Sequence, residues 1–175
     1  MKTGINLKKT VVAAMFAALA CVATMVISIP IPATNGYVNI GDCVVILSAW
    51  MLGGVYGMLA GGIGSMLADV FFGYMTFAPG TLIIKALMAL AAYAVYKALA
   101  GKTGDLIGRC VSAFSAEAVM VIGYFLYEYT VLGYGVGAVP SIFSNMVQGV
   151  GGMVISVVLV EVLKASGFLG KIKKL

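Results

Sequence analysis

Asp-Val-Phe-Phe-Gly-Tyr-Met-Thr-Phe-Ala-Pro-Gly-Thr-Leu-Ile-Ile-Lys, residues 69–85, carries an acid at one end and a base at the other. Gly73, Pro79 and Gly80 make the middle a turn, and the chain on both sides is almost continuously apolar. One turn thus folds two apolar segments against each other and carries Asp69 and Lys85 into the same surroundings. A lone charge at the centre of a membrane helix costs roughly 2.5–3.5 kcal/mol on insertion scales, so such charges face a bundle interior, pair, or serve a ligand. The sequence therefore predicts that Asp69 and Lys85 approach each other across this turn.

The surroundings fix the class. The chain has 175 residues, of which 62% are hydrophobic and 10% charged. Soluble domains carry about 25% charged residues, so this is an integral membrane protein of one domain, 1–175. The net charge of +5 sits mainly at segment ends, where it sets orientation rather than binding nucleic acid. Cys21, Cys43 and Cys110 are far apart in sequence and the chain has no His, so no disulfide framework, metal site or cofactor is expected.

Working outward, apolar runs of near-spanning length cover residues 10–29, 56–72, 81–98, 110–131 and 141–163, and a shorter one covers 43–52. A span needs about 20 residues. The run at 10–29 is long enough to be a membrane helix rather than a cleaved leader. Residues 30–42 are dense in turn formers and read as a loop. Six all-α transmembrane helices result. With both termini cytoplasmic, Lys2, Lys8, Lys9, Lys97, Lys102, Arg109, Lys164, Lys171, Lys173 and Lys174 all fall on the inner side. These are ten of the 11 basic residues, as the positive-inside tendency requires. Lys85 is the exception, a few residues inside the outer end of its helix.

Other polar residues gather at the depth of Lys85. Asn35, Tyr37, Asn39 and Asp42 belong to the first loop, Asp69 to the third helix, and Tyr124, Tyr127 and Glu128 to the end of the fifth. Asn145 and Gln148 share one face of the sixth, three residues apart. The inner half is nearly bare apart from Glu117 and Glu161. A channel or proton relay would scatter polar groups through the full thickness. Concentration at one depth predicts an outward-opening binding pocket, although tyrosines also populate interfacial belts.

Small residues mark close packing. Gly57, Gly61 and Ser65 recur on the third helix. Ala13 with Ala17, and Ala14 with Ala18, form two small-residue pairs at the start of the first, next to Lys8 and Lys9. These alanines could seat a partner helix or pack internally. The chain has no Walker-type nucleotide motif and no HExxH or Gly-x-Ser-x-Gly signature. It also has no visible internal repeat of the kind self-contained transporters carry. A pocket without an energy source points to reliance on another protein.

Three stretches carry a family resemblance. They are Pro-Ala-Thr-Asn-Gly-Tyr-Val-Asn-Ile-Gly-Asp at 32–42, Gly-Gly-Ile-Gly-Ser-Met-Leu-Ala-Asp at 61–69, and Ala-Pro-Gly-Thr-Leu-Ile-Ile-Lys at 78–85. With the alanine pairs, they resemble the substrate-binding S components of energy-coupling-factor (ECF) vitamin transporters, in the riboflavin-transporter-like group. The resemblance implies a multi-pass protein of a prokaryotic cell membrane, surrounded by lipid. It implies one vitamin or precursor bound near the outer face, no chemistry of its own, and delivery through a transmembrane coupling subunit with two ATPases. The many short polar groups favour a small ring such as pyridoxine or hydroxymethylpyrimidine, with riboflavin as the larger option. Two other classes fit the same residues. One is a membrane enzyme acting on a lipid or isoprenoid through Asp42, Asp69 and Lys85. The other is a structural subunit without a ligand.

Overall fold

The computed structural model describes residues 7–31 and 36–167. Its helices are α1 (Leu7–Val26), α2 (Gly41–Leu52), α3 (Gly54–Phe72), α4 (Ala78–Leu99), α5 (Asp105–Leu126) and α6 (Val139–Ala165). A π-helical turn, Tyr127–Val131, continues α5, and a 3-10 turn, Gly135–Ala138, leads into α6. Five of the helices are long and apolar enough to cross a membrane, and α2 is a shorter apolar helix. At ~1.5 Å per residue, the 12 residues of α2 reach only about 18 Å, against a hydrocarbon core of ~30 Å.

The α2 helix is short because it sits in the middle. Ten of its 12 residues are buried, and it packs against α1, α3, α4 and α6. The other helices form an arc around it in the order α1, α3, α4, α5, α6. The core joins Val45, Ile46 and Ala49 of α2 to Met88, Ala89 and Ala92 of α4 and to Ala113, Ala116 and Met120 of α5. Neighbours in sequence run in opposite directions. Between α2 and α3, Gly57 lies against Ala49 and Gly61 against Val45; a Cβ on Gly57 would fall 2.7 Å from the Ala49 Cα. Gly53, at φ 86°, makes this reversal possible in a single residue. The alternation brings the start of α1 and the end of α6 to the same end of the bundle.

The first connection differs from the expected loop. Ser28–Ile31 and Gly36–Asn39 form strands β1 and β2 of an antiparallel hairpin, with Ser28 opposite Asn39 and Pro30 opposite Tyr37. The fold is therefore helical with one small hairpin. Pro30 explains why α1 stops at Val26 rather than at residue 29. In a continued helix the proline ring would meet the carbonyl of residue 26 and supply no N–H. The α2 helix also starts earlier than expected, which moves Asp42 from the loop into a helical first turn. There the partial positive charge of the helix N-terminus favours an acid.

The bundle end opposite the hairpin is tied by charge. Arg109, expected in the polar connection before the fifth helix, lies inside α5 and is 5% exposed. Its guanidinium stacks over Tyr96 at 4.7 Å and Trp50 at 5.2 Å. It donates to the Tyr96 hydroxyl at 3.1 Å and to Asp105 at 3.3 Å. Lys164 of α6 donates to the same Asp105 carboxylate at 2.8 Å. Four helices thus meet around one arginine, with the half-exposed Asp105 shared between two bases.

A polar cavity under the hairpin

The hairpin lies over the bundle and brings Tyr37 and Asn39 onto the ends of α3 and α6. The Tyr37 hydroxyl donates to Asp69 Oδ1 at 2.5 Å. Its ring packs on Tyr74 at 4.9 Å and edge-on to Phe72 at 5.5 Å. Burial and the neighbouring Asp69 carboxylate push the Tyr37 hydroxyl above its ordinary range, so it remains a donor at physiological pH. On the other side, the Asn39 backbone N–H donates to Gln148 Oε1 at 2.8 Å, and the Asn39 side chain accepts from the Gly41 N–H at 2.8 Å. Two short polar bonds therefore pin the hairpin to α3 and α6.

Beneath it lies a polar cavity of about 30 Å3, partly open to the outside. Every helix except α2 contributes to its lining. Thr24 comes from α1, Ser65 and Asp69 from α3, and Thr81 and Lys85 from α4. Tyr124 belongs to α5, Glu128 to the π-helical turn, and Asn145 and Gln148 to α6; Tyr37, Asn39 and Phe77 close the top. The Thr81 and Tyr124 hydroxyls share a hydrogen bond at 2.9 Å.

The buried ion pair is not the expected one. Lys85 Nζ bonds Asp42 Oδ1, with the two residues 2% and 0% exposed. Asp69 is held by Tyr37 instead. The reason is the central position of α2, which places the acid of its first turn directly across from α4. Gln148 Nε2 satisfies the second Asp42 oxygen at 2.7 Å, and the Lys85 ammonium also lies 5.4 Å from the centre of the Tyr124 ring. Asp42 thus stands behind the cavity wall and anchors two residues that line it.

The cavity gathers Tyr37, Asn39, Asp69, Lys85, Tyr124, Glu128, Asn145 and Gln148 from the expected set. Asn35 lies outside the described residues. Tyr127 lies outside the lining: its hydroxyl donates to the Thr76 carbonyl at 2.7 Å, and its ring covers Gly80, where a Cβ would fall 2.7 Å from it. Thr24, Ser65, Phe77 and Thr81 are lining residues that the sequence reading passed over. A lone hydroxyl in an apolar helix was the available signal for Thr24 and Thr81. Ser65 was read only as a small packing residue.

Four buried oxygens around this cavity have no hydrogen-bond partner: Thr24 Oγ1, Ser65 Oγ, Asp69 Oδ2 and Glu128 Oε2. Buried polar atoms are ordinarily satisfied, so a set of unpaired ones on residues that line one cavity marks a place for a polar ligand. A helical membrane bundle with a capped, part-unsatisfied polar cavity has the build of a solute-binding membrane protein.

Comparison with known proteins agrees. Residues 4–165 match the family described as ECF-type riboflavin transporter, S component, and the chain belongs to that family. It is a multi-pass membrane protein and the vitamin-binding component of an ECF transporter. A relative from Pyrococcus woesei, an uncharacterized protein in the gap 3′ region, is 38% identical over 143 residues, covering 82% of this chain and 93% of that one. The thiamine precursor transporter HmpT of Lactococcus lactis subsp. cremoris (strain MG1363) is 26% identical over 174 residues, covering 97% and 95%. A solved S component of a bacterial ECF transporter superposes with a TM-score of 0.67 at 22% identity, covering 93% of this chain and 97% of that chain. The last likeness concerns the fold alone.

Proposed function

We propose that the cavity binds a small-ring vitamin precursor carrying N–H donors, a hydroxymethylpyrimidine in the first place and a pyridoxine-type ring in the second. The carrying observation is the set of unpaired oxygens. Two of the four belong to carboxyl groups, which when ionised only accept. Lys85, the base in the lining, is already bonded to Asp42. The cavity therefore offers more acceptors than donors, and an aminopyrimidine supplies the missing donors. Tyr37, Phe77 and Tyr124 give aromatic faces for the ring. The likeness to a thiamine precursor transporter supports the same ligand class. Riboflavin, the vitamin in the family description, is the competing ligand.

The protein performs no chemistry of its own in this reading. It holds the ligand at the outer face of a prokaryotic plasma membrane and hands it to a coupling subunit driven by two ATPases. Both termini lie in the cytoplasm, and the exposed alanines of α1 seat the coupling subunit. Isothermal titration of the purified protein with hydroxymethylpyrimidine, pyridoxine and riboflavin tests the ligand. Tightest binding of the pyrimidine is expected. Tighter binding of riboflavin would overturn the small-ring reading.

A further inference from the structure

One amide of α6 holds the hairpin and the buried ion pair at the same time. Gln148 Oε1 accepts the Asn39 backbone N–H at 2.8 Å and lies 3.4 Å from the Asn39 side-chain Nδ2. At its other end, Nε2 donates to Asp42 Oδ2 at 2.7 Å, while Asp42 Oδ1 takes Lys85. A backbone N–H can only donate, so Oε1 must face Asn39, and the donating end of the amide then falls on Asp42. Lys85 of α4, Asp42 of α2, Gln148 of α6 and Asn39 of β2 thus form one hydrogen-bonded row. All four are buried.

The row sits where the hairpin joins the bundle. Strand β2 ends at Asn39 and α2 begins at Gly41, with Ile40 alone between them. The Asn39 side chain accepts the Gly41 N–H at 2.8 Å across this junction. Gln148 therefore grips the chain on both sides of Ile40, at Asn39 before it and at Asp42 after it. The other anchor of the hairpin, Tyr37 on Asp69, lies outside the row. At about 30 Å3 the cavity has room for about one or two waters. A ring-sized ligand therefore requires the hairpin or the wall to move, and the row decides whether these move separately.

We propose that Gln148 is a positioning residue that ties the hairpin to the Lys85–Asp42 pair, so that the hairpin is held down fully only while Lys85 is docked on Asp42. Both ends of its amide are committed within the row, so its work in the site is to set geometry. If Lys85 is withdrawn, the Asp42 carboxylate is free to turn. The amide then loses the partner that orients it, and the Asn39 N–H loses a fixed acceptor. The use of this coupling rests on the cavity being the ligand site. The coupling itself is read on ligand-free protein, so its failure and the failure of that reading are distinct.

Hydrogen exchange at the Asn39 amide, followed by NMR on the full chain in lipid nanodiscs, reports each opening of the hairpin at Gln148. Gln148→Met should speed it directly. Lys85→Met, at the far end of the row, should also speed it, by at least about tenfold. The amides of Ala113 and Ala116 in the α5 part of the core should stay as slow as in the parent. Lys85→Met combined with Gln148→Met should exchange no faster than Gln148→Met alone, because both break one row. Tyr37→Phe combined with Gln148→Met should multiply the two effects, because the anchors are separate. If Lys85→Met does not fold, Lys85→Met with Asp42→Leu takes its place, with the same readings expected. An unchanged Asn39 rate in the Lys85 variant would overturn the proposal, as would equal acceleration at Asn39 and in α5. Effects that multiply between Gln148 and Lys85, or fail to multiply between Gln148 and Tyr37, would overturn it too.

Discussion

Lys85 shows what a buried charge requires of its surroundings. Removing one member of a fully buried pair leaves the other without a partner, which costs about 3–5 kcal/mol. Lys85→Ala and Asp42→Asn should each lower the unfolding midpoint sharply, while Lys85→Met combined with Asp42→Leu should recover most of it. Ligand affinity separates the two roles of the lysine. If Lys85 contacts the ligand, the double variant regains stability and stays weak in binding; recovery of both would make the pair purely structural. Asp69 asks a different question, because one of its oxygens has no partner. Asp69→Asn replaces an acceptor that faces the cavity with an amide, so titration calorimetry should record an affinity loss of at least about tenfold, equivalent to ~1.4 kcal/mol. Little change in stability is expected. An increase in affinity would mean that the ligand presents acceptors here.

At the level of single elements, α1 illustrates how similar sequence patterns divide. Ala13 is buried against Leu52 and Ala60. Ala17 faces α3, where a Cβ on Gly64 would meet the Ala17 carbonyl at 2.3 Å. Ala14 and Ala18 are exposed on the other side of the helix. One small-residue pair therefore packs internally, and the other remains free to receive a partner helix. Ala14→Trp and Ala18→Trp should abolish uptake in cells carrying the coupling module, with ligand binding by the isolated protein unchanged. Ala17→Trp should instead damage the fold, seen as loss of the monodisperse protein in size-exclusion chromatography. The hairpin is a second such element. Tyr37→Phe removes the bond to Asp69 while keeping the ring on Tyr74 and Phe72, so its cost should be about 1 kcal/mol. The expected sign is faster ligand release in stopped-flow measurements with little change in association.

At the scale of the molecule, the membrane class, the long helices and the gathering of polar residues from several helices were legible in composition and spacing. Pro30 and Pro32 advertised the end of α1 but concealed the hairpin that begins at Ser28. The partner of Lys85 was not legible, because sequence neighbours gave Asp69 and only the central place of α2 gives Asp42. Arg109 looked like one more loop base, yet it is enclosed by Trp50 and Tyr96 from two other helices. Such choices depend on which helices touch, and apolar periodicity does not encode that. The overall orientation carries its own test. In a background where the exposed Cys110 is replaced by Ser, a thiol introduced at Thr76 or Gly135 should react with an impermeant reagent added to intact cells. One at Lys102 should not. External labelling at 102 would invert or break the arrangement with both termini inside.

The enclosure of α2 also bears on how the chain is made. A helix this short, with an aspartate in its first turn, has too little hydrophobic length to leave a translocon for lipid by itself. Its natural companion is α3, to which Gly53 joins it without a spacer. The two must therefore enter the bilayer as a single helical hairpin, after α1 and before the wall formed by α4 to α6 exists. In chains ending just after Leu52, the Cys43 thiol of α2 should react with a membrane-impermeant reagent, whereas in chains extended past Phe72 it should not. Assembly would then proceed from the inside outwards, with the most buried helix placed among the first and the cavity completed only when α6 arrives.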